Sequence, residues 1–261
     1  MTSTLRIELM SYPEVSAAIA KGMKTVIVPC GAIEQHGPHL PLCMDSDHAE
    51  YLGEAVASRL GGALVAPTIR VGCSAHHMAF SGTVSLRSST FEAVCHDYCQ
   101  SLAAHGFTRI LLFSAHLGNC PILEQILPRL REALPETCQV DAFYDSSTWI
   151  QTWRNSVATA GGDQEHVGGH ADLAETSIML VLRPDKVQLQ NAKAGHIGML
   201  TEDERRTMWR EGIHGICANG ILGDPRTATE AIGDRCLADI ADLLVQAFNL
   251  VRDSETLGRL A

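Results

Sequence analysis

The chain reads as an α/β protein: a three-layer, mostly parallel sheet with helices on both faces, as a single domain over residues 1–261. Two observations predict this. Short β-branched and apolar runs without polar alternation mark strands buried on both sides. Stretches of helical length separate them, and strands alternating with helices build parallel sheets. The strands are expected at residues 25–29, 63–66, 109–114 and 139–143. Helices are expected over 47–59, 90–105 and 121–134. Residues 172–182 read as a largely buried helix, because Leu173, Ile178, Met179, Leu180 and Leu182 leave little polar surface. Residues 229–251 read as a long amphipathic helix, 158–169 as a glycine-rich loop, and 146–157 as a loop running into a helix.

Composition narrows the function. Hydrophobic residues make up 46% of the 261, enough for a sizeable core and too many for a disordered chain. Thirty acidic residues against 20 basic ones give a net charge of -10, and no basic run is present. Nucleic-acid binding and attachment to an anionic membrane both need a cationic footprint, so neither is expected. No apolar run is long enough to span a bilayer. Residues 1–10 carry Glu8 and lack an apolar signal core, so a cytoplasmic protein is expected. The nine cysteines show no CxxC pairing and read as buried thiols in a reducing compartment.

The 12 histidines group with carboxylates. Ligands of open parallel sheets sit beyond the carboxyl ends of the strands. Glu34 and His36 follow the first predicted strand, His76 and His77 come shortly after the second, and His116 follows the third. Residues far apart in sequence would thus meet at one sheet edge. Glu34, His36, His39 and Asp45 share a loop stiffened by Gly37, Pro38 and Pro41. Glu34 and His36, two apart in extended backbone, point the same way. Such ligands suit zinc, manganese or iron(II); the alternative is a polar loop with Asp45 as a helix cap. His116 alone reads as structural or ligating. Glu175 falls in the buried helix and needs a metal, a proton or an arginine. His170, just before that helix, reads as a general acid/base or as a first-turn polar residue.

Five ordered motifs resemble the creatininase (creatinine amidohydrolase) family. They are Glu34-Gln35-His36-Gly37-Pro38-His39-Leu40-Pro41 with Asp45; Phe80-Ser81-Gly82-Thr83; Ser114-Ala115-His116-Leu117-Gly118-Asn119; His170 with Glu175-Thr176-Ser177; and Gly223-Asp224-Pro225 with Ala228-Thr229. The resemblance implies a doubly wound fold and two divalent metal ions, zinc first, with manganese or iron as alternatives. It assigns Glu34, His36, Asp45, His116 and Glu175 as ligands and Asp45 as the bridge. The leaving nitrogen then needs a proton, and His170 is the candidate donor, because an imidazole can cycle near neutral pH. A homo-oligomer, often a hexamer, is implied as well. The implied activity is hydrolysis of a C–N bond in a small cyclic amide or formamide. A lactone or cyclic-ketone hydrolase and a non-catalytic metal scaffold are the alternatives. Creatininase has a Tyr-Glu pair where this chain has Leu117-Gly118, and a glutamate where it has Gly169, which argues for a branch other than creatininase itself. The resemblance places Trp149 and Trp153 in a lid over the substrate, with ordinary surface packing as the alternative, and Arg154 is a candidate for an anionic substrate group. His39, His48, His76 and His77 are read as supporting or structural.

Overall fold

The computed structural model describes residues 4–258. Of the N-terminal stretch weighed as an export signal, residues 1–3 lie outside that range, as do the side chains from Val251 on.

The order of elements is α1 (Tyr12–Ala20), β1 (Thr25–Cys30), α2 (Met44–Leu60), β2 (Ala63–Val65), α3 (Ser88–Ala104), β3 (Arg109–Ser114), α4 (Cys120–Glu132) and β4 (Gln139–Phe143). There follow α5 (Ser146–Thr159), β5 (Val167–His170), α6 (Leu173–Leu182), α7 (Glu202–Glu211), β6 (Leu222–Gly223) and α8 (Glu230–Gly258). The first four strands form one parallel sheet in the order β2-β1-β3-β4. All four lie where the apolar runs predict them.

Side chains alternate across this sheet with the two-residue period of a strand. Ile27, Leu111 and Phe113 pack on one face against residues of α2, α5, α6 and α8. Val26, Val28, Ile110 and Leu112 pack on the other against residues of α1, α3 and α4. Both faces are covered, as continuous apolar strands require. Connections leave β1 and β3 toward opposite edges, so a crevice opens between their carboxyl ends.

Two regions differ from the sequence reading. Residues 158–169 are not one loop: α5 runs to Thr159, and β5 pairs antiparallel with β6. Val-Gly-Gly-His has no alternation to read as a strand. Glycine is nevertheless what the pairing needs, since a Cβ at Gly168 would lie 2.6 Å from the Leu222 carbonyl oxygen. Helix α7 is also unannounced, because it carries charge on most of its surface and few apolar residues. Its start is fixed by a capping box in which Thr201 and Glu204 satisfy each other's backbone N–H groups. All nine cysteines are free, and seven are buried. No helix among the described residues is long and apolar enough to cross a membrane.

Candidate metal centre

Glu34 and His36 lie in the loop after β1, and Asp45 is in the first turn of α2. His116 lies two residues past β3, His170 ends β5, and Glu175 is in the first turn of α6. Because β1 and β3 are neighbours, these elements converge on the crevice. All six side chains are buried.

Asp45 stands at the middle of the group. Its Oδ1 is 3.3 Å from His36 Nε2, and its Oδ2 is 3.5 Å from His116 Nδ1. Glu34 Oε1 approaches the same His116 nitrogen at 3.3 Å. Glu175 Oε2 approaches the His36 nitrogen at 3.6 Å. The cluster thus divides into two halves that share one carboxylate: Glu34 with His116, and Glu175 with His36. Glu175 also accepts the Ala171 N–H at 2.5 Å. Ala171 takes the left-handed conformation (φ 52°) to aim it, at a cost of about 1–2 kcal/mol for a residue with a Cβ. No arginine partners Glu175 among the described residues, so the salt bridge considered from sequence is not formed.

Main-chain carbonyls orient three of the imidazoles. His36 Nδ1 donates to the Glu34 carbonyl at 3.1 Å, leaving Nε2 free to face the carboxylates. His116 Nε2 donates to the Cys73 carbonyl at 3.2 Å, leaving Nδ1 free. His170 Nε2 donates to the Gln35 carbonyl at 2.8 Å, leaving Nδ1 at 3.6 Å from Glu34 Oε1. This is how ligating histidines are oriented in metal sites.

Gln35 completes the pattern. Its Oε1 accepts the Gly37 N–H, which fixes the amide's orientation. Its NH2 donates to the Gly220 carbonyl at 3.0 Å, and His77 Nδ1 lies 2.9 Å away. The His170 nitrogen next to it already bears a proton, so the second amide hydrogen goes to His77. His77 therefore carries its own proton on Nε2, 3.4 Å from Glu34 Oε1. In this state its N–H faces the Glu34 carboxylate without forming a hydrogen bond to it.

The buried polar atoms lack enough partners. Both Glu34 oxygens, His36 Nε2 and Asp45 Oδ2 are buried without a hydrogen bond among the described residues. Ligand atoms of Glu34, His36 and Asp45 lie within 4.8 Å of one another, as do those of His36, His170 and Glu175 and those of Glu34, His77 and His170. Without a cation, protons fill this role. Burial works to lower His36, yet Asp45 and Glu175 raise it to about 10. Burial also works to lower His116, yet Glu34 and Asp45 raise it to about 9. Burial pushes Glu175 well above and Asp45 above the usual carboxylate range. Glu34 runs against its own burial and falls well below that range, chiefly because of His116 and His77. Mixed oxygen and nitrogen donors, buried and short of hydrogens, fit a divalent cation of the zinc, manganese or iron class.

The centre forms the floor of a cavity of about 300 Å³. Leu117, Ile150 and Leu222 contribute apolar wall, and Met208 and Trp209 of α7 line it as well. The Trp209 ring lies 4.6 Å from that of His76. The aromatic cover expected from Trp149 and Trp153 is therefore absent from those positions. Both are fully buried beneath α5, packed with His48, and Trp149 also with Phe113 and Phe143. The α5 residues that reach the cavity are Ser146, Ser147 and Ile150. Arg154 is turned away too, pairing with Glu165 at 2.5 Å and donating to the Val167 carbonyl. His39 bonds Thr176 at 2.8 Å, and His48 is buried against Trp149 and Trp153. Sequence reasoning gave Gln35 no role, although its place between Glu34 and His36 was a signal. It missed α7 altogether.

Residues 8–248 match the creatininase family model, described as creatinine amidohydrolase. A mycofactocin precursor peptide peptidase from Mycobacterium ulcerans (strain Agy99) is 31% identical over 87% of this chain and 85% of its own length. A creatinine amidohydrolase from Pseudomonas putida is 29% identical over 95% of this chain and 99% of its own. Among solved structures, a manganese creatininase superposes with a TM-score of 0.71 at 25% identity, covering 94% of this chain and 99% of that one. A zinc–zinc form of a creatininase mutant gives 0.71 at 26%, covering 95% and 99%. Fold, ordered motifs and family match agree: the chain belongs to the creatininase family of metal-dependent amidohydrolases.

Proposed function

We propose that the chain hydrolyses a peptide amide at this centre. The observation that carries the reading is the set of unpartnered buried donors on the floor of a cavity. Glu34, His116 and Asp45 Oδ2 would hold one divalent ion, and His36, Glu175 and Asp45 Oδ1 the other. Bound ions of this class lower the pKa of water and polarise a carbonyl.

The protein's own groups supply the rest. His170 presents the unprotonated Nδ1 to the floor, where it takes up a proton and passes it to the leaving nitrogen. The Gln35 carbonyl holds the His170 ring in that orientation, and the Gln35 side chain holds His77 beneath Glu34. Leu117, Ile150 and Leu222 limit water around the reacting amide.

Relatives named as precursor peptide peptidases, at 31% and 33% identity, support the peptide reading. The creatinine amidohydrolase relative supports a second reading, a small cyclic amide or formamide. Zinc heads the ions proposed, with manganese or iron as alternatives; the similar solved creatininases include a manganese form and a zinc–zinc form. A homo-oligomer, a hexamer by resemblance, belongs to the proposal and is checked by sedimentation.

The test is to incubate metal-loaded protein with short peptides, creatinine, formamides and lactones, and to follow products by mass spectrometry. Peptide cleavage is expected. Turnover confined to creatinine or formamides selects the second reading, and turnover confined to lactones selects an ester-type hydrolase. No metal uptake after metal-supplemented purification would leave only a scaffold.

A further inference from the structure

The cavity above the centre does not end the accessible space. A groove of about 770 Å³ lies beside it. The two share His76, Gly118, Pro121 and Trp209 as common wall. Two rings in contact thus stand where one volume passes into the other.

The wall is thinned at Gly118. A Cβ there would lie 2.4 Å from His116 Nε2 and 2.9 Å from His76 Cε1. Any larger residue would push both imidazoles out of place. His76 is itself nine-tenths buried, and its Nδ1 has no hydrogen-bond partner among the described residues. It stacks on His116 on one side and meets Trp209 on the other.

The groove has the character of a peptide subsite. Met78 and Trp209 line it and are more than half exposed, which leaves apolar surface for a substrate side chain to cover. Arg87 lines it too, at the residue before α3. Its guanidinium has no ion-pair partner among the described residues, in a chain with ten more acidic than basic groups. Ser88, which opens α3, also lines the groove, so the positive end of a 17-residue helix adds to the same field.

We propose that an extended peptide runs from the metal cavity past His76 and Trp209 into this groove, where Arg87 takes its C-terminal carboxylate. The leaving portion of the substrate is thus the part that is read. The proposal rests on the peptide reading of the centre, and its test separates the two.

The experiment uses metal-loaded protein and a panel of N-acetylated peptides of three to six residues. Each is made with a free C-terminal carboxylate and again as the carboxamide. For the wild type, amidation is expected to raise KM about tenfold, or ~1.4 kcal/mol, with kcat little changed. Arg87→Gln should lose that discrimination while keeping its melting temperature and metal content, and Arg87→Lys should keep part of it. Trp209→Ala should raise KM for the longer peptides more than for the shortest. If Arg87→Gln cleaves peptides and still distinguishes acid from amide as the wild type does, the groove assignment is overturned. If metal-loaded wild type cleaves creatinine or formamides and no peptide, the peptide reading falls and takes the groove with it.

Discussion

His36 Nε2 stands 3.3 Å from Asp45 Oδ1, while the other oxygen of the same carboxylate is turned to His116. A change at Asp45 therefore reaches both halves of the centre. Asp45→Asn is expected to reduce bound metal, measured by plasma mass spectrometry, to below half of the wild-type content. Turnover should fall by at least about 10²–10³-fold, the scale of lost electrostatic stabilisation at a reacting carbonyl. Glu34→Gln and His116→Ala should act in the same direction with the fold intact by circular dichroism. Unchanged metal content in all three variants would remove the centre from this place.

Gln35→Ala removes the amide that holds His77 but leaves the carbonyl that holds His170. The expected loss is about 10–100-fold in metal affinity or kcat, the range for outer partners of metal ligands. Gln35→Glu should not rescue, because a carboxylate cannot donate to both Gly220 and His77. A wild-type rate for Gln35→Ala would show that His77 needs no such partner.

His170→Ala should keep most bound metal and lose most of the rate. Its Nδ1 faces Glu34 at 3.6 Å, near enough for a second contribution as a ligand. Metal content therefore separates the two roles: retained metal with lost rate supports the proton carrier, and lost metal supports a ligand.

Protons report on loading. In the cation-free protein His36 titrates near 10 and His116 near 9, so both are charged at pH 7. An incoming divalent ion displaces them, and calorimetry in buffers of different ionisation enthalpy should show proton release at pH 7 that vanishes above pH 10. Stability has the matching sign. Both values are raised above the ordinary histidine value of 6.5, so the stabilisation is complete below that pH. It is lost as pH rises through about 9 and then 10. Melting temperature without metal should fall across that alkaline window and hold steadier with zinc bound. A flat alkaline profile without metal would contradict the assignment.

Two tryptophans should separate stability from specificity. Trp153→Ala empties a fully buried site and is expected to cost about 3–5 kcal/mol of stability. Trp209→Ala, at a half-exposed position on α7, should leave the melting temperature close to wild type and alter KM. The reverse outcome would return the cavity cover to α5.

Much of this was legible in the chain. Ile27 and Leu111 belong to runs without polar alternation, and such runs have few structures open to them. The loop from Glu34 to Asp45 carried its own chemistry in its residue types. Trp149 and Trp153 misled because spacing says which residues share a helix face and not what that face meets. Here it meets His48 and the sheet. Helix α7 was hidden because Glu202 to Glu211 has capping signals but no broad apolar stripe. The pairing of β5 with β6 was hidden by Gly168, whose missing side chain permits the contact and also erases the strand pattern.

The carbonyls that hold His36, His116 and His170 belong to Glu34, Cys73 and Gln35. A peptide oxygen survives any exchange of the side chain beside it. Imidazole tautomers tied to the main chain are thus insulated from drift in the residues around them, and the walls of the cavity can be rewritten for new substrates without retuning the acid–base inventory beneath.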